Sequence, residues 1–560
     1  MPTPAVNQAL QWTLAILPAA ALAGLAVGIV LHLRRRGPGG SRVARRQLLI
    51  LLGLTAATTA WNAAVVGYGP VVYFDEFAHA EMTAQLAREG SPNLCCAYRD
   101  GRCEQPCRTT RWPLATHVLA ATVVPLTDDA PPGAGFRARV LLNRVASFLS
   151  PALAYTWVFL LVGSIPGAAL AALAWGLFPA RAALASSAAL MPVALALALL
   201  LLIAVECWRR RPTNGLLAAI ASLAVLTMHG RLELFLVVPW VLWRLRGTGP
   251  AGRGPGPVRT VAVAALAALV PLVWLYVDGS WLSGRTPGWG QGAGALLENL
   301  GRHLPGNLAF WLDPSAAPVL VWPAGLLAFA FPAGRRLWPL APVALALLLF
   351  DSSYYIGRFD PATTFDGWRF ALPVALLGLP LFALALAGIA ARLPGRRRSA
   401  FVGLVAAAIL APLPLQYGFL RASHHPLSDL DAAVRAAARC GPLASTPRPL
   451  IVTRQRTVGF VFAQTGLDVL DPAEAPGAAD VERALAEGRA FFVRVDPAER
   501  PDVGLPGVCV RGAPAAVDAE LGAWLLRLSR APCGQAPSRP GRRPEGSDAS
   551  DSSIAPKSMR

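Results

Sequence analysis

The 560-residue chain is 54% hydrophobic and only 15% charged. Its apolar residues fall in runs of about twenty, which excludes an ordinary soluble enzyme and reads as an all-α polytopic membrane protein. The formal charge is +19, from 51 basic and 32 acidic residues, with Lys557 the single lysine. The arginines cluster between the apolar runs, where they mark the cytoplasmic side, so no nucleic-acid partner is expected.

In chain order, the first run, 11–33, is too long for a signal-peptide core and lacks a basic leader, so it reads as a retained helix. Arg34–Arg36 with Arg42, Arg45 and Arg46 follow it, then the second span, 47–69. The remaining basic clusters are Arg209–Arg211; Arg244, Arg246, Arg253 and Arg259; Arg335–Arg336; and Arg396–Arg398. Requiring all of them on one side places residue 75 on the other. The segment 112–126, "WPLATHVLAATVVPL", is short for a span at about 1.5 Å per residue, and reads as an interfacial or re-entrant helix. Spans are then expected at 140–163, 165–180, 182–206, 215–228, 232–246, 258–277, 317–333, 337–350, 370–391 and 400–420, about twelve crossings in all.

This divides the chain into an extra N-terminal helix with a basic cytoplasmic loop (1–46), a transmembrane catalytic part (47–420, with first outer loop 70–139), a soluble outer domain (421–530) and a Pro, Ser, Gly and Arg-rich tail (531–560) expected to be disordered. Further outer loops fall at 278–316 and 351–369. The soluble domain reads as α/β: "RPLIVTR", "AFFVRV" and "GVCVRG" as strands, "ADVERALAEG" and "DAELGAWLLRLSR" as helices. Seven of eight cysteines fall on the outer side. Cys95, Cys96, Cys103 and Cys107 share the first loop, where disulfides suit an oxidising compartment and the spacing also suits zinc. His424–His425 sits at a linker without a neighbouring cysteine, and no P-loop or dinucleotide fingerprint is present.

The stretch "YFDEFAHAEMTAQLAREG" opens the first outer loop. It has helical character from Phe74 to Arg88 and stops at Gly90 and Pro92. Asp75 and His79, four apart, share a helix face. Asp75 as an N-cap and Glu76 at the positive helix end would account for the acids structurally. Two acids and an imidazole beside a bilayer, where charge is costly, also read as a functional site. A divalent metal on Asp75 and His79 stays open, two ligands being too few to define one; no other cofactor is implied.

The "Asp-Glu" pair after a long apolar helix, "A..LA.EG", the downstream "WPL" helix, "FRARVLLNRVASFLSPALAYTWVFLL" and "WRFALPVALL" together resemble the GT-C membrane glycosyltransferases, which include the protein O-mannosyltransferases and aminoarabinose transferases. The resemblance covers about 45–420; "RWPLATH" has one proline where many members carry two, and the helix at 11–33 is extra. It implies an inverting transferase of the plasma (inner) membrane. The donor would be a polyprenyl-phosphate sugar, the acceptor an extracytoplasmic lipid, glycan or protein, and the first acid, Asp75, the general base, with Glu76 beside it. Transfer from a lipid phosphate passes through an oxocarbenium-like state with a leaving group that is already a stable anion. The protein must therefore deprotonate the acceptor and neutralise the phosphate. A planar arginine fork suits the second task. The candidates at the outer edge are Arg369, then Arg358, then Arg231, with Arg111 behind them; each also suits an arginine snorkelling to headgroups. Trp112 stacks on sugar or prenyl chain, or belongs to the aromatic belt. His79 tunes Asp75 or contacts sugar.

A lipid-linked glycan flippase would instead place ionisable groups at the midplane of paired, broken helices, and no halves repeat here. A polysaccharide polymerase or ligase of another membrane fold would act from a middle or late outer loop. The topology is directly testable: cysteines introduced at positions 40 and 430 should label from opposite sides of intact cells, and labelling from the same side would overturn the scheme.

Overall fold

The structure, a computed structural model, describes residues 20–31, 45–65, 83–84, 86–88, 115–127, 133–185, 191–226, 293–354, 365–422, 443, 445–452, 468–470, 478–494, 508–518 and 523–530. Up to Ala422 the described chain is helical. It begins with α1 (Ala20–Leu31) and α2 (Arg45–Val65), then α3 (Ala115–Ala121), which a 3₁₀ turn at Val124–Leu126 continues. The bundle is built on α4 (Gly133–Val162), α5 (Ile165–Gly176), the short α6 (Pro179–Leu184), α7 (Met191–Arg210) and α8 (Asn214–Leu226). It resumes with α9 (Ala293–Phe310), α10 (Val321–Leu326), 3₁₀ turns at Leu327–Ala330 and Gly334–Arg336, and α11 (Leu340–Tyr354). It closes with α12 (Phe365–Ala391), α13 (Gly395–Leu410) and α14 (Leu413–Ala422).

Among the described residues four segments are long and apolar enough to cross a bilayer: Gly135–Val162, Met191–Arg210, Ala371–Ala391 and Gly395–Leu420. Seven shorter apolar helices accompany them. The expected spans at 232–246 and 258–277 lie outside the described residues. The span expected at 182–206 is divided: α6 ends at Leu184, Ala185 lies in a turn, and Met191–Arg210 is helical. The stretch 278–316, read as loop, contains the helix α9.

The turn between α4 and α5 shows how local chemistry fixes the antiparallel pair. Gly163, at φ +74°, takes the left-handed conformation that ends α4. Ser164 then caps α5, accepting from the Gly167 amide at 3.2 Å, and Pro166 sits in the first turn, where a missing N–H does no harm. The core is carried by Trp157, Trp175, Trp208, Phe178 and Phe382, all fully buried. α7 is buried almost all round, as an interior helix should be. α4 is inverted relative to a soluble helix: Leu141, Val145, Phe148 and Leu149 are exposed while Arg139, Asn143, Ser147 and Ser150 are buried. An apolar outside and a polar inside are what lipid as solvent selects.

Packing contacts align the helix ends. Arg210 donates to the Leu160 carbonyl, which puts the ends of α4 and α7 together. A Cβ at Gly167 would lie 2.6 Å from the Ala383 carbonyl oxygen, so the start of α5 abuts the last turns of α12. The Arg392 guanidinium lies 4.8 Å from the Phe331 ring, which brings the Gly334–Arg336 turn to the same end. The described basic clusters at 209–211, 335–336 and 396–398 therefore share one face of the bundle. The opposite face gathers the end of α2, the start of α4, and α3, α6 and α14.

After the bundle lies a five-stranded sheet with its own core of Leu450, Val452, Phe492, Leu526 and Leu528. Its strands are β1 (Leu450–Val452), β2 (Asp468–Leu470), β3 (Ala490–Arg494), β4 (Val508–Asp518) and β5 (Ala523–Arg530), in the order β2-β1-β3-β5-β4. β1 is parallel to β2 and β3; β5 is antiparallel to β3 and β4; and α15 (Ala478–Ala486) links β2 to β3. The second expected helix, "DAELGAWLLRLSR", is corrected: Ala523–Arg530 is a strand. Its leucines fit either period, and pairing on both edges decides for the sheet.

The α2–α5 contact is unusually close. A Cβ at Gly176 would meet Thr58 Cγ2 at 2.1 Å, while the next Thr58 atom is 3.1 Å away. Gly176→Ala should lower stability by about 1–3 kcal/mol, the scale of core overpacking. Thr58→Ser, which removes the colliding methyl, should restore most of that loss; thermal unfolding in micelles measures both.

Candidate active site

The face opposite the arginine clusters holds most of the buried polar side chains of the bundle: Thr83, Thr116, His117, Arg139, Asn143, Ser147 and Arg181. Three elements bring them together. α4 presents Arg139, Asn143 and Ser147 at successive four-residue steps, on one stripe of the helix. α3 packs against the start of α4 and buries Thr116 and His117. Thr83, in the segment between α2 and α3, accepts a hydrogen bond from Arg139 Nη1 at 3.2 Å, and both side chains are fully buried.

Arg181 of α6 closes the cluster from the other side. Its Nη1 donates to the Ser147 carbonyl at 2.8 Å, its Nε to the Trp175 carbonyl at 3.1 Å, and its Nη2 to Asn62 Oδ1 at 2.8 Å and to the Gly176 carbonyl. The Ser147 and Gly176 carbonyls have a reason to need a donor. Pro151 stands four residues after Ser147 inside α4 and lacks the N–H that would bond the Ser147 carbonyl. Gly176 is the last residue of α5, where a carbonyl loses its helical partner, while the Trp175 carbonyl shares its bond from Arg181 with the Phe178 amide at 3.2 Å. Asn62 lies in the last turn of α2. One guanidinium thus supplies the missing donor of a proline kink and ties three helix ends together. The Arg181 guanidinium stays protonated, as arginine does in proteins. All four acceptors are neutral, and among the described residues no carboxylate pairs with it.

A second buried polar contact lies on this face: Asn307 of α9 donates to Ser352 Oγ of α11 at 2.7 Å, and Ser352 donates to the Leu348 carbonyl at 2.8 Å. Trp175, Phe178 and Trp311 form an aromatic rim between the two, with Phe178 and Trp311 centroids 6.3 Å apart.

Most of the residues the sequence nominates are not among the described ones. Asp75, Glu76, His79, Arg111, Trp112, Arg231, Arg358 and the cysteines Cys95, Cys96, Cys103 and Cys107 lie outside the described residues, as does His424–His425. Arg369 falls within α12, one turn before Pro373, which cannot bond the Arg369 carbonyl and so loosens the helix there. Sequence reasoning missed Arg139 and Arg181. Arg139 sits in "FRARVLLNRV" beside the exposed Arg137 and Arg144, and only the four-residue register with Asn143 and Ser147 separates them. Arg181 carried a signal of its own, a lone cation between two apolar runs and after a span containing a proline.

No family model matches the chain, and neither does any curated protein. Among solved structures, ArnT from Cupriavidus metallidurans in the apo state aligns over 86% of this chain and 97% of its own, with TM-score 0.50 and 13% identity. This chain has the GT-C fold. ArnT is an aminoarabinose transferase, so the fold agrees with the resemblance read from the acidic pair and the "WPL" helix. The same enzyme bound to undecaprenyl phosphate aligns with TM-score 0.49 and 15% identity, over 86% of this chain and 98% of that one. The oligosaccharyltransferase AglB from Archaeoglobus fulgidus, in complex with an inhibitory peptide and a dolichol-phosphate, aligns with TM-score 0.48 and 13% identity, over 79% and 69%.

The pairing of Pro151 with Arg181 is testable as a double-mutant cycle. Arg181→Leu strands at least the Ser147 and Gly176 carbonyls and should destabilise by about 3 kcal/mol or more, at 1–3 for each buried group left unsatisfied. Pro151→Ala restores an amide to the Ser147 carbonyl, so it should cost less in the Arg181→Leu background than alone, with a coupling of about 1 kcal/mol. Strict additivity in thermal unfolding would break the link between the two residues.

Proposed function

We propose that the protein is a membrane glycosyltransferase that moves a sugar from a polyprenyl-phosphate donor to an extracytoplasmic acceptor, with Asp75 as general base. The acceptor hydroxyl or amine attacks the anomeric carbon from the face opposite the phosphate. The bond from that carbon to the phosphate oxygen breaks with its electron pair on the leaving polyprenyl phosphate, Asp75 takes the acceptor proton, and the configuration inverts. The fold supports a transferase of this class at a coarse level, and the polar patch on one face of the bundle carries the reading further.

The observation that supports a role for the acidic helix is the buried bond from Arg139 to Thr83. Thr83 stands four residues after His79 and eight after Asp75. If the helix expected over 74–88 forms, these three share a face, and Thr83 turns that face toward the polar stripe of α4. A base on that face would work among buried cations, Arg139 and Arg181, which favour its ionised form and favour an anionic donor. In this reading Arg369 is the first candidate to clamp the donor phosphate, with Arg358, Arg231 and Arg111 behind it. Glu76 orients the acceptor, and Trp112 stacks on sugar or chain. A divalent metal on Asp75 and His79 is compatible with the scheme but not needed by it.

Transfer from radiolabelled polyprenyl-phosphate sugars by the purified protein tests the reading. Asp75→Asn keeps the shape and capping ability of the side chain but removes its basicity. It should leave the unfolding temperature unchanged and lower transfer roughly 10²-fold or more. Arg369→Ala should instead raise the donor concentration needed for half-maximal rate, because the phosphate loses its paired charge. A well-folded Asp75→Asn protein with near-normal transfer would leave Asp75 as a helix cap only.

A further inference from the structure

The arginine-rich face of the bundle carries a feature that sugar transfer does not use. Three segments meet there: the Gly334–Arg336 turn, the end of α12 and the start of α13. They are locked together through Phe331. Its ring lies against Gly388, where a Cβ would approach to 2.6 Å, and the Arg392 guanidinium covers it at 4.8 Å. Arg398 donates through Nε to the Ala390 carbonyl at 2.9 Å and so caps the end of α12. Two of the six arginines are thus engaged in holding the corner. The other four, Arg335, Arg336, Arg396 and Arg397, are exposed. The stretches that carry them supply no counter-charge: residues 314–350 and 367–428 contain no Asp or Glu.

The surroundings of these four say what kind of anion fits. Apolar side chains stand beside them in the open: Leu326 and Leu327 at 55% and 52% exposure, and Trp338, two residues after Arg336, at 56%. α13 rises from Arg396–Arg398 as a peripheral apolar helix, with Leu404 at 69% exposure. A soluble anion would need the cations but not the apolar wall. A molecule with phosphates at one end and acyl chains at the other matches both.

We propose that this corner is a binding site for an anionic phospholipid. The headgroup phosphates are held by Arg335, Arg336, Arg396 and Arg397, and the acyl chains lie along α13 and against Leu326, Leu327 and Trp338. Four cations around one corner favour a headgroup with two phosphates, of the cardiolipin kind, over one with a single phosphate. The site anchors the hinge between α12 and α13 to the leaflet. It lies on the face opposite the Arg139–Thr83 bond, so it stands whether or not the transferase reading does.

The test uses the full-length purified protein, stripped of lipid in mild detergent. Cardiolipin, phosphatidylglycerol, phosphatidylcholine and inorganic pyrophosphate are added separately. Retained lipid is read by native mass spectrometry, and stability by thermal unfolding. Cardiolipin should be retained best and raise the unfolding temperature, phosphatidylglycerol less, and phosphatidylcholine and pyrophosphate should do neither. Arg396→Gln with Arg397→Gln, both exposed, should weaken cardiolipin retention about fivefold for each arginine removed, the scale at which a basic residue near a membrane attracts an anionic leaflet. Adding Arg335→Gln and Arg336→Gln should abolish it. The double variant guards against a quadruple variant that fails to fold. Equal retention of phosphatidylcholine, stabilisation by pyrophosphate alone, or unchanged cardiolipin retention in the double variant would each overturn the proposal.

Discussion

The bond from Arg181 to the Ser147 carbonyl is the constraint on which the arrangement of this bundle depends. A proline in the middle of α4 would ordinarily leave a carbonyl unbonded in an apolar interior, at a cost comparable to losing a hydrogen bond outright. Here the vacancy is filled by a side chain from α6 that also reaches the end of α5 and the last turn of α2. The charge is buried without a carboxylate, which is tolerable because its N–H groups meet oxygen on several sides. One of these bonds, to Asn62, also holds the described end of α2 against α6.

The two faces of the bundle divide the electrostatic work. On one, cations are buried, hydrogen-bonded and held in fixed geometry, which suits the recognition of a charge that develops during a reaction. On the other, arginines are mostly exposed and beside apolar surface, which suits a lipid boundary. Both sets are arginine rather than lysine. The planar fork matters on the first face, where one guanidinium satisfies carbonyls of several helices, and on the second, where Arg392 lies flat on Phe331.

How far the sequence spoke for itself differed from place to place. The apolar runs at 140–163 and 370–391 read correctly as the helices α4 and α12, because lipid-scale hydropathy leaves few alternatives, whereas 182–206 is divided and 317–333 is a short helix with 3₁₀ turns. α9 was missed because "GALLENLGRHLPGNLAF" is amphipathic and too polar for a hydropathy reading to register it as a helix. β5 was misread because "AWLLRLSR" has no decisive period, and its strand state depends on pairing with the preceding strand β4 on one edge and with the more distant β3 on the other. Asp75 and Arg369 were nominated by resemblance and by position beside a span. Arg139 and Arg181 were not, because nothing in a lone arginine says whether it points to water or inward. That information sits in the register of α4 and in the donor that Pro151 lacks, which become meaningful only when two helices are considered together.

The proline gap in α4 also bears on the order in which the chain is built. Ser147 and Pro151 enter the bilayer thirty residues or so ahead of Arg181, at an extension of roughly 1.5 Å per helical residue. For that interval α4 is a membrane helix with an open carbonyl, a state lipid disfavours. Its neighbour α5 follows after a two-residue turn, and α6 after it, so the donor arrives as the next hairpin folds back. The helices from Gly133 to Leu184 thus form an insertion unit that is complete only when its last member is in place.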